Sequence, residues 1–112
     1  MTKAIKLSEK IFIAGAYGMV GSSIKKILKK RGYSKNLLTP HRSDLNLLNS
    51  ELVKEWFEKN QPKIVILAAA KVGGIYANST YPANFILENL KIQTNIIESS
   101  WLSGVRRLIF LG

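Results

Sequence analysis

The run Ile11-Phe12-Ile13-Ala14 is apolar and β-prone, and it leads directly into Gly15-Ala16-Tyr17-Gly18-Met19-Val20-Gly21. An amphipathic segment leaves that heptapeptide, so the three glycines sit where a buried strand turns into a helix. Such a junction needs glycine for separable reasons. Gly15 would make the sharp turn off the strand, Gly18 would let backbone N–H groups approach a pyrophosphate, and Gly21 would let the helix pack close to the sheet. The N-terminus of the helix then offers unpaired donors and a partial positive charge to phosphate. Three spaced glycines alone would describe any tight strand–helix turn. The flanking strand and helix favour a dinucleotide site built from residues 15–21, with Ala16, Tyr17, Met19 and Val20 among its lining.

The remaining pattern extends this unit. Residues 19–31 read as a helix with Val20, Ile24, Ile27 and Leu28 on its inner stripe, and Gly32 is placed to stop it. Residues 36–39 read as a second strand closed by Pro40, and 45–48 as either a brief third strand or a loop. Ser50 can N-cap a helix over 50–59 that carries Leu52, Val53, Trp56 and Phe57, and Asn60-Gln61-Pro62 breaks it. The run 64–68 is apolar throughout, as a strand buried on both faces requires. A loop of small and polar residues spans 71–81. Pro82 suits the first turn of a helix reaching about residue 102, and 108–111 reads as a last strand.

Strands alternating with helices imply right-handed crossovers and a parallel sheet. The fold class expected is therefore α/β, a Rossmann-like doubly wound sheet represented by its first half, roughly four to five strands with flanking helices. Residues 1–10 read as a basic N-terminal extension. Residues 11–112 read as the N-terminal part of a nucleotide-binding domain, truncated before the catalytic region and substrate domain.

Composition narrows the rest. The chain has 112 residues, enough for one domain at most, and no cysteine, which excludes disulfides and thiolate metal sites and fits a cytoplasmic location. No apolar run approaches the roughly 18–20 residues of a membrane helix, and MTKAIKLSEK lacks the apolar core of a signal peptide. The net charge of +10 invites a nucleic-acid reading. However, Lys25, Lys26, Lys29, Lys30 and Arg31 alternate with Ile24, Ile27 and Leu28, which is the pattern of a solvated helix face. Nucleic acid and membrane are accordingly not the expected partners.

The segment Pro40-His41-Arg42-Ser43-Asp44 bears on which dinucleotide would bind. A carboxylate closing the second strand would hold the ribose hydroxyls of NAD and repel a 2′-phosphate. This strand instead ends near Arg42, whose guanidinium can grip a phosphate through two hydrogen bonds, so NADP is favoured. A longer strand would bring Asp44 to the ribose and reverse that preference. His41, the single histidine, reads as a solvent-facing loop residue with a side contact to the adenosine end.

Further motifs carry a more specific resemblance. Ala68-Ala69-Ala70-Lys71-Val72-Gly73-Gly74-Ile75 is followed by Asn78-Ser79-Thr80-Tyr81-Pro82-Ala83-Asn84-Phe85-Ile86. With the glycine turn, Arg42, Leu45-Asn46-Leu47-Leu48-Asn49 and residues 108–112, these resemble the GDP-L-fucose synthases, the NADP-dependent epimerase/reductases of the extended short-chain dehydrogenase/reductase family. The resemblance runs from Ile11 onward. It implies a complete enzyme that epimerises GDP-4-keto-6-deoxy-D-mannose and reduces it with NADPH to GDP-L-fucose. It further implies that residues 15–21 hold the pyrophosphate and Arg42 the 2′-phosphate. Asn46 and Leu47 would border the adenine, and Ala68, Ala69 and Ala70 would line the nicotinamide-side ribose. Tyr17 departs from the pattern, since members of the family often carry a basic residue there.

The family's catalytic serine, its Tyr-x-x-x-Lys pair and its epimerisation acid and base would all lie past Gly112. Tyr76, Tyr81 and Lys71 do not form such a pair, and Lys71 reads as a loop residue near the cofactor or substrate edge. No residue here is assigned a catalytic or metal-binding role, and the 112 residues alone are expected to be inactive. In the segment 85–102, Phe85, Ile86, Leu87, Leu90, Ile92, Ile96, Ile97 and Trp101 spread over more than one helix face. Either the remainder of the protein covers the surplus, or a homodimer forms through the 83–102 helix, as the resemblance implies. Two other readings remain: a different NAD(P)-dependent sugar-nucleotide epimerase or dehydratase, and a non-catalytic NADP-sensing domain.

Overall fold

The computed structural model describes residues 4–68 and 82–111, so the glycine-rich stretch at 71–81 lies outside the described residues. Four strands are seen there: β1 (Ile11–Ala14), β2 (Leu37–Leu38), β3 (Ile64–Leu67) and β4 (Arg107–Phe110). They alternate with helices α1 (Met19–Lys30), α2 (Ser50–Asn60) and α3 (Pro82–Ser103). Every pairing is parallel and the order is β2-β1-β3-β4. From β1 the chain steps to one side to make β2, then crosses back to place β3 on the other. The point where the order reverses, above the carboxyl ends of β1 and β3, is where such sheets form a ligand crevice.

In-register pairing sorts the apolar residues onto two faces. Ile11 and Ile13 align with Ile64 and Ile66, and all four pack with Ile24 and Leu28 of α1. Phe12 and Ala14 align with Val65 and Leu67, and these pack with Val53 and Phe57 of α2 and Ile96 of α3. Alternation along strands buried on both sides accounts for the uninterrupted apolar runs. Phe12 anchors the second face, its ring centre 4.3 Å from Trp56 and 5.5 Å from Phe57. Each such aromatic pair adds roughly 0.5–1.5 kcal/mol beyond its buried area.

Several boundaries differ from the pattern expected. The α2 cap is Asn49 rather than Ser50: the Asn49 side chain accepts from the Leu52 N–H at 3.1 Å, and Ser50 is already the first helical residue. Strand β2 holds two residues rather than the four of 36–39: Ser34–Asn36 winds into a 3-10 turn before it, and its pairing with β1 ends at Leu38, ahead of Thr39. The segment 45–48 is no strand; Asn46 Oδ1 accepts from the Leu48 N–H and closes a turn, and Leu45 plugs the core. The last strand begins at Arg107, one residue early. On α1, Val20 and Ile27 are exposed, not inward. The helix rolls so that Gly21, with Ile24 and Leu28 one and two turns on, faces the sheet, which swings Val20 and Ile27 toward solvent. Gly32, at φ 93°, ends α1: its N–H donates to the Lys29 carbonyl and that of Tyr33 to Leu28.

The long helix presents two faces. Ile92 and Ile96 contact the core, whereas Ile86, Leu90, Ile97 and Trp101 are exposed. On β4, Leu108 and Phe110 are likewise exposed on the α2–α3 side of the sheet. No helix of the described residues is long and apolar enough to cross a membrane.

Residues 4–10 dock beneath the amino ends of the strands. Tyr33 Oη donates to the Ile5 carbonyl at 2.7 Å and Asn36 Nδ2 to the Leu7 carbonyl at 2.8 Å. Arg106, just before β4, makes a bidentate pair with Glu9, both N···O distances being 2.8 Å. The guanidinium and the Lys6 N–H hold the Glu9 carboxyl down at about 2. A carboxylate lowered in the folded state contributes stability above its ordinary range, and that contribution fades as pH falls toward the folded value. Glu9→Gln should therefore lower the melting temperature at neutral pH, and the difference from wild type should shrink steadily below about pH 4. Thermal denaturation of both proteins across acid pH checks this.

Candidate cofactor-binding site

The glycine turn lies at the carboxyl end of β1, beside the reversal in strand order. Gly15 adopts φ 89°, a conformation that other residues reach only with strain, and turns the chain off the strand. The Gly18 N–H donates to the Gly15 carbonyl at 3.1 Å and closes the loop. Gly21 is buried against that same loop. A Cβ at 21 would lie 2.7 Å from the Gly15 carbonyl carbon and closer still to its oxygen. The fold itself thus requires the first and third glycines.

Gly18 differs from both. Its φ is −81°, open to any residue, and among the described residues a Cβ there would meet only the Gly15 oxygen, at an ordinary 3.5 Å. No contact among the described residues demands glycine at 18. The backbone at Gly18 is thereby left open toward the crevice, where a ligand could approach it closely.

The start of α1 is bare as well. Its first helical hydrogen bond runs from Ser22 N–H to the Gly18 carbonyl, leaving the amides of Met19, Val20 and Gly21 before the ladder begins. Gly18 supplies no side-chain cap and the first turn has no acid. Helix α2, by contrast, carries both the Asn49 cap and Glu51. An uncapped, exposed helix start with no competing carboxylate suits an anion.

The neighbouring elements complete the rim. Ala68 continues β3, and its N–H donates to the Ala14 carbonyl at 2.8 Å, which places it next to the glycine turn. Ala69 and Ala70 lie outside the described residues. The Asp44 and Leu45 N–H groups both donate to the His41 carbonyl at 2.9 Å, so Arg42 projects from a tight turn following β2. Arg42 and Asp44 are both exposed and stand on this same turn. Asn46 and Leu47 are engaged within the protein. The Asn46 side chain closes its own turn, Asn95 Nδ2 donates to the Leu47 carbonyl at 2.8 Å, and the Leu47 side chain leans on the core.

The structure also reveals contacts that spacing could not. Tyr17 Oη donates to the Thr39 carbonyl at 3.1 Å, and its ring stacks on His41 at 4.0 Å and 15°. Together they tie the glycine turn to the turn after β2.

Comparison with known proteins agrees with this architecture. The sequence profile of the NAD dependent epimerase/dehydratase family matches residues 11–112. The chain belongs to that family. Among its relatives is a putative GDP-L-fucose synthase 2 of Arabidopsis thaliana, 50% identical over 96% of this chain and 33% of that protein. The GDP-L-fucose synthase of Escherichia coli K12 is 48% identical over 93% of this chain and 32% of its own length. Among solved structures, the NADP-bound GDP-mannoheptose C4 reductase MlghC of Campylobacter jejuni superposes with a TM-score of 0.91. It is 38% identical and covers 97% of this chain and 34% of that one. The chain therefore spans about a third of the length of these family members.

The two kinds of glycine should separate experimentally. Gly21→Ala drives a methyl into backbone and should destabilise the fold by about 3 kcal/mol or more. Gly18→Ala should leave the denaturation midpoint nearly unchanged, which chemical denaturation of the two variants will show.

Proposed function

We propose that this chain is the NADP(H)-binding portion of a GDP-L-fucose synthase whose complete form, in the cytoplasm, epimerises and reduces GDP-4-keto-6-deoxy-D-mannose to GDP-L-fucose. The observation that carries the reading is Gly18, a glycine that no contact among the described residues requires, set over three helix amides with no side-chain cap from Gly18. Support comes from the family profile and from relatives bearing that name at half sequence identity.

The residues of this chain bind and orient. The amides of Met19, Val20 and Gly21 receive the pyrophosphate, with Ala16 and Tyr17 forming the wall of the turn. Arg42 projects toward the 2′-phosphate, and Asp44, beside it, would otherwise favour a bare ribose. Asn46 and Leu47 supply the adenine border through the surface of their turn, and Ala68, with Ala69 and Ala70 after it, flanks the ribose on the nicotinamide side. When bound, NADPH would supply the hydride for reducing a sugar ketone. The protein's contribution is position and electrostatics. The 112 residues hold no Tyr-x-x-x-Lys pair, so on their own they would bind without turnover.

Arg42→Ala in the full-length protein should weaken NADPH roughly tenfold or more and leave NADH nearly unchanged, because only the former carries the extra phosphate. Fluorescence titration with both nucleotides measures this, and equal losses would remove the 2′-phosphate role. We also infer a homodimer through the outer face of α3, where Trp101 is 79% exposed beside Ile97. Trp101→Glu should shift the full-length protein from dimer to monomer in sedimentation equilibrium, with its melting transition still cooperative.

A further inference from the structure

The sequence offers Arg42 as a cation beside β2, and the structure brings a second to the same corner. Lys25 lies on α1, and its Nζ sits 4.8 Å from the centre of the Tyr17 ring. His41 is stacked on that ring at 4.0 Å. Lys25 and His41 thus both contact the Tyr17 ring, and the three side chains form a column of contacts from α1 to the turn that carries Arg42. The Tyr17 hydroxyl fixes its middle member to the Thr39 carbonyl at the end of β2.

Lys25 stands apart from the other lysines of its helix. Lys26, Lys29 and Lys30 are exposed, whereas Lys25, resting on the Tyr17 ring, is partly buried. It has no carboxylate partner among the described residues. A cation resting on an exposed aromatic face is held weakly, and its four-carbon stem lets it turn to an incoming anion. The column keeps it near the end of β2, where Arg42 already favours phosphate. Asp44, across the turn, is the acid an anion would meet there, so a second cation offsets the repulsion.

We propose that Lys25 is a specificity-determining residue for the 2′-phosphate of NADP(H), acting with Arg42, and that the Tyr17–His41 stack is the arm that positions it. The proposal rests on the cofactor reading above and adds to it a residue on a different element. A ring at position 17 then supplies no charge itself but organises one.

The test is titration of the full-length protein with NADPH and NADH at low and high salt. Lys25→Gln should weaken NADPH roughly fivefold to tenfold, leave NADH within about twofold, and flatten the salt dependence for NADPH. Lys25→Arg should restore most of the loss, and Lys29→Gln, on the solvated face, should change neither nucleotide. Equal weakening of both nucleotides, or none, in Lys25→Gln overturns the proposal. If Arg42→Ala still abolishes the preference for NADPH in that case, the cofactor reading survives and Lys25 alone is rejected. If the wild-type protein binds neither nucleotide, both fail together.

Discussion

The close approach of α1 to the end of β1 determines much of this structure. Gly21 lies against the Gly15 carbonyl at a distance that no side chain tolerates. That contact sets the roll of the helix, which in turn decides that Ile24 and Leu28 meet the sheet while Val20 and Ile27 do not. It also sets the height of the first turn of the helix above the strand ends, where the strand order reverses. Sheet packing and the open start of the helix are therefore two consequences of one backbone contact. A change at Gly21 would disturb both together, whereas one at Gly18 touches only the second.

Much of this was legible beforehand, and the reasons differ by element. Strands β1 and β3 are buried on both faces, so their uninterrupted apolar runs leave no other interpretation. Strand β2 is shorter than its pattern suggests because Asn36 closes a 3-10 turn through its N–H to the Tyr33 carbonyl, while its side chain donates to the Leu7 carbonyl, a contact 29 residues away that no local pattern reveals. Asn49 and Ser50 are both good caps, and only the geometry of Leu52 distinguishes them. The glycine turn was readable as a motif. The unequal needs of its three glycines were not, because the need at 21 depends on distances and the latitude at 18 on a dihedral. The column at Tyr17 was hidden for the same reason: residues 17, 25 and 41 have no meaningful spacing in sequence.

The N-terminal extension, basic in composition, is held by its acid. Glu9 joins Arg106 across 97 positions, so the first described residues and the start of the last strand are tied together at the amino end of the sheet. The hydrogen bonds from Tyr33 and Asn36 to its carbonyls dock the described part of this segment against the rest of the fold.

The bare first turn of α1 has an implication for how stable such a protein can become. A serine or aspartate at position 18 would cap the helix and strengthen the empty fold, as Asn49 does for α2. Under the proposed function, the same oxygen would stand where the pyrophosphate comes and would face it with a lone pair. On that reading the position is closed to the very substitution that ordinary helix energetics would reward, and robustness at this corner would arrive with the bound molecule. A filled protein and an empty one would then differ in firmness at the tip of a single helix.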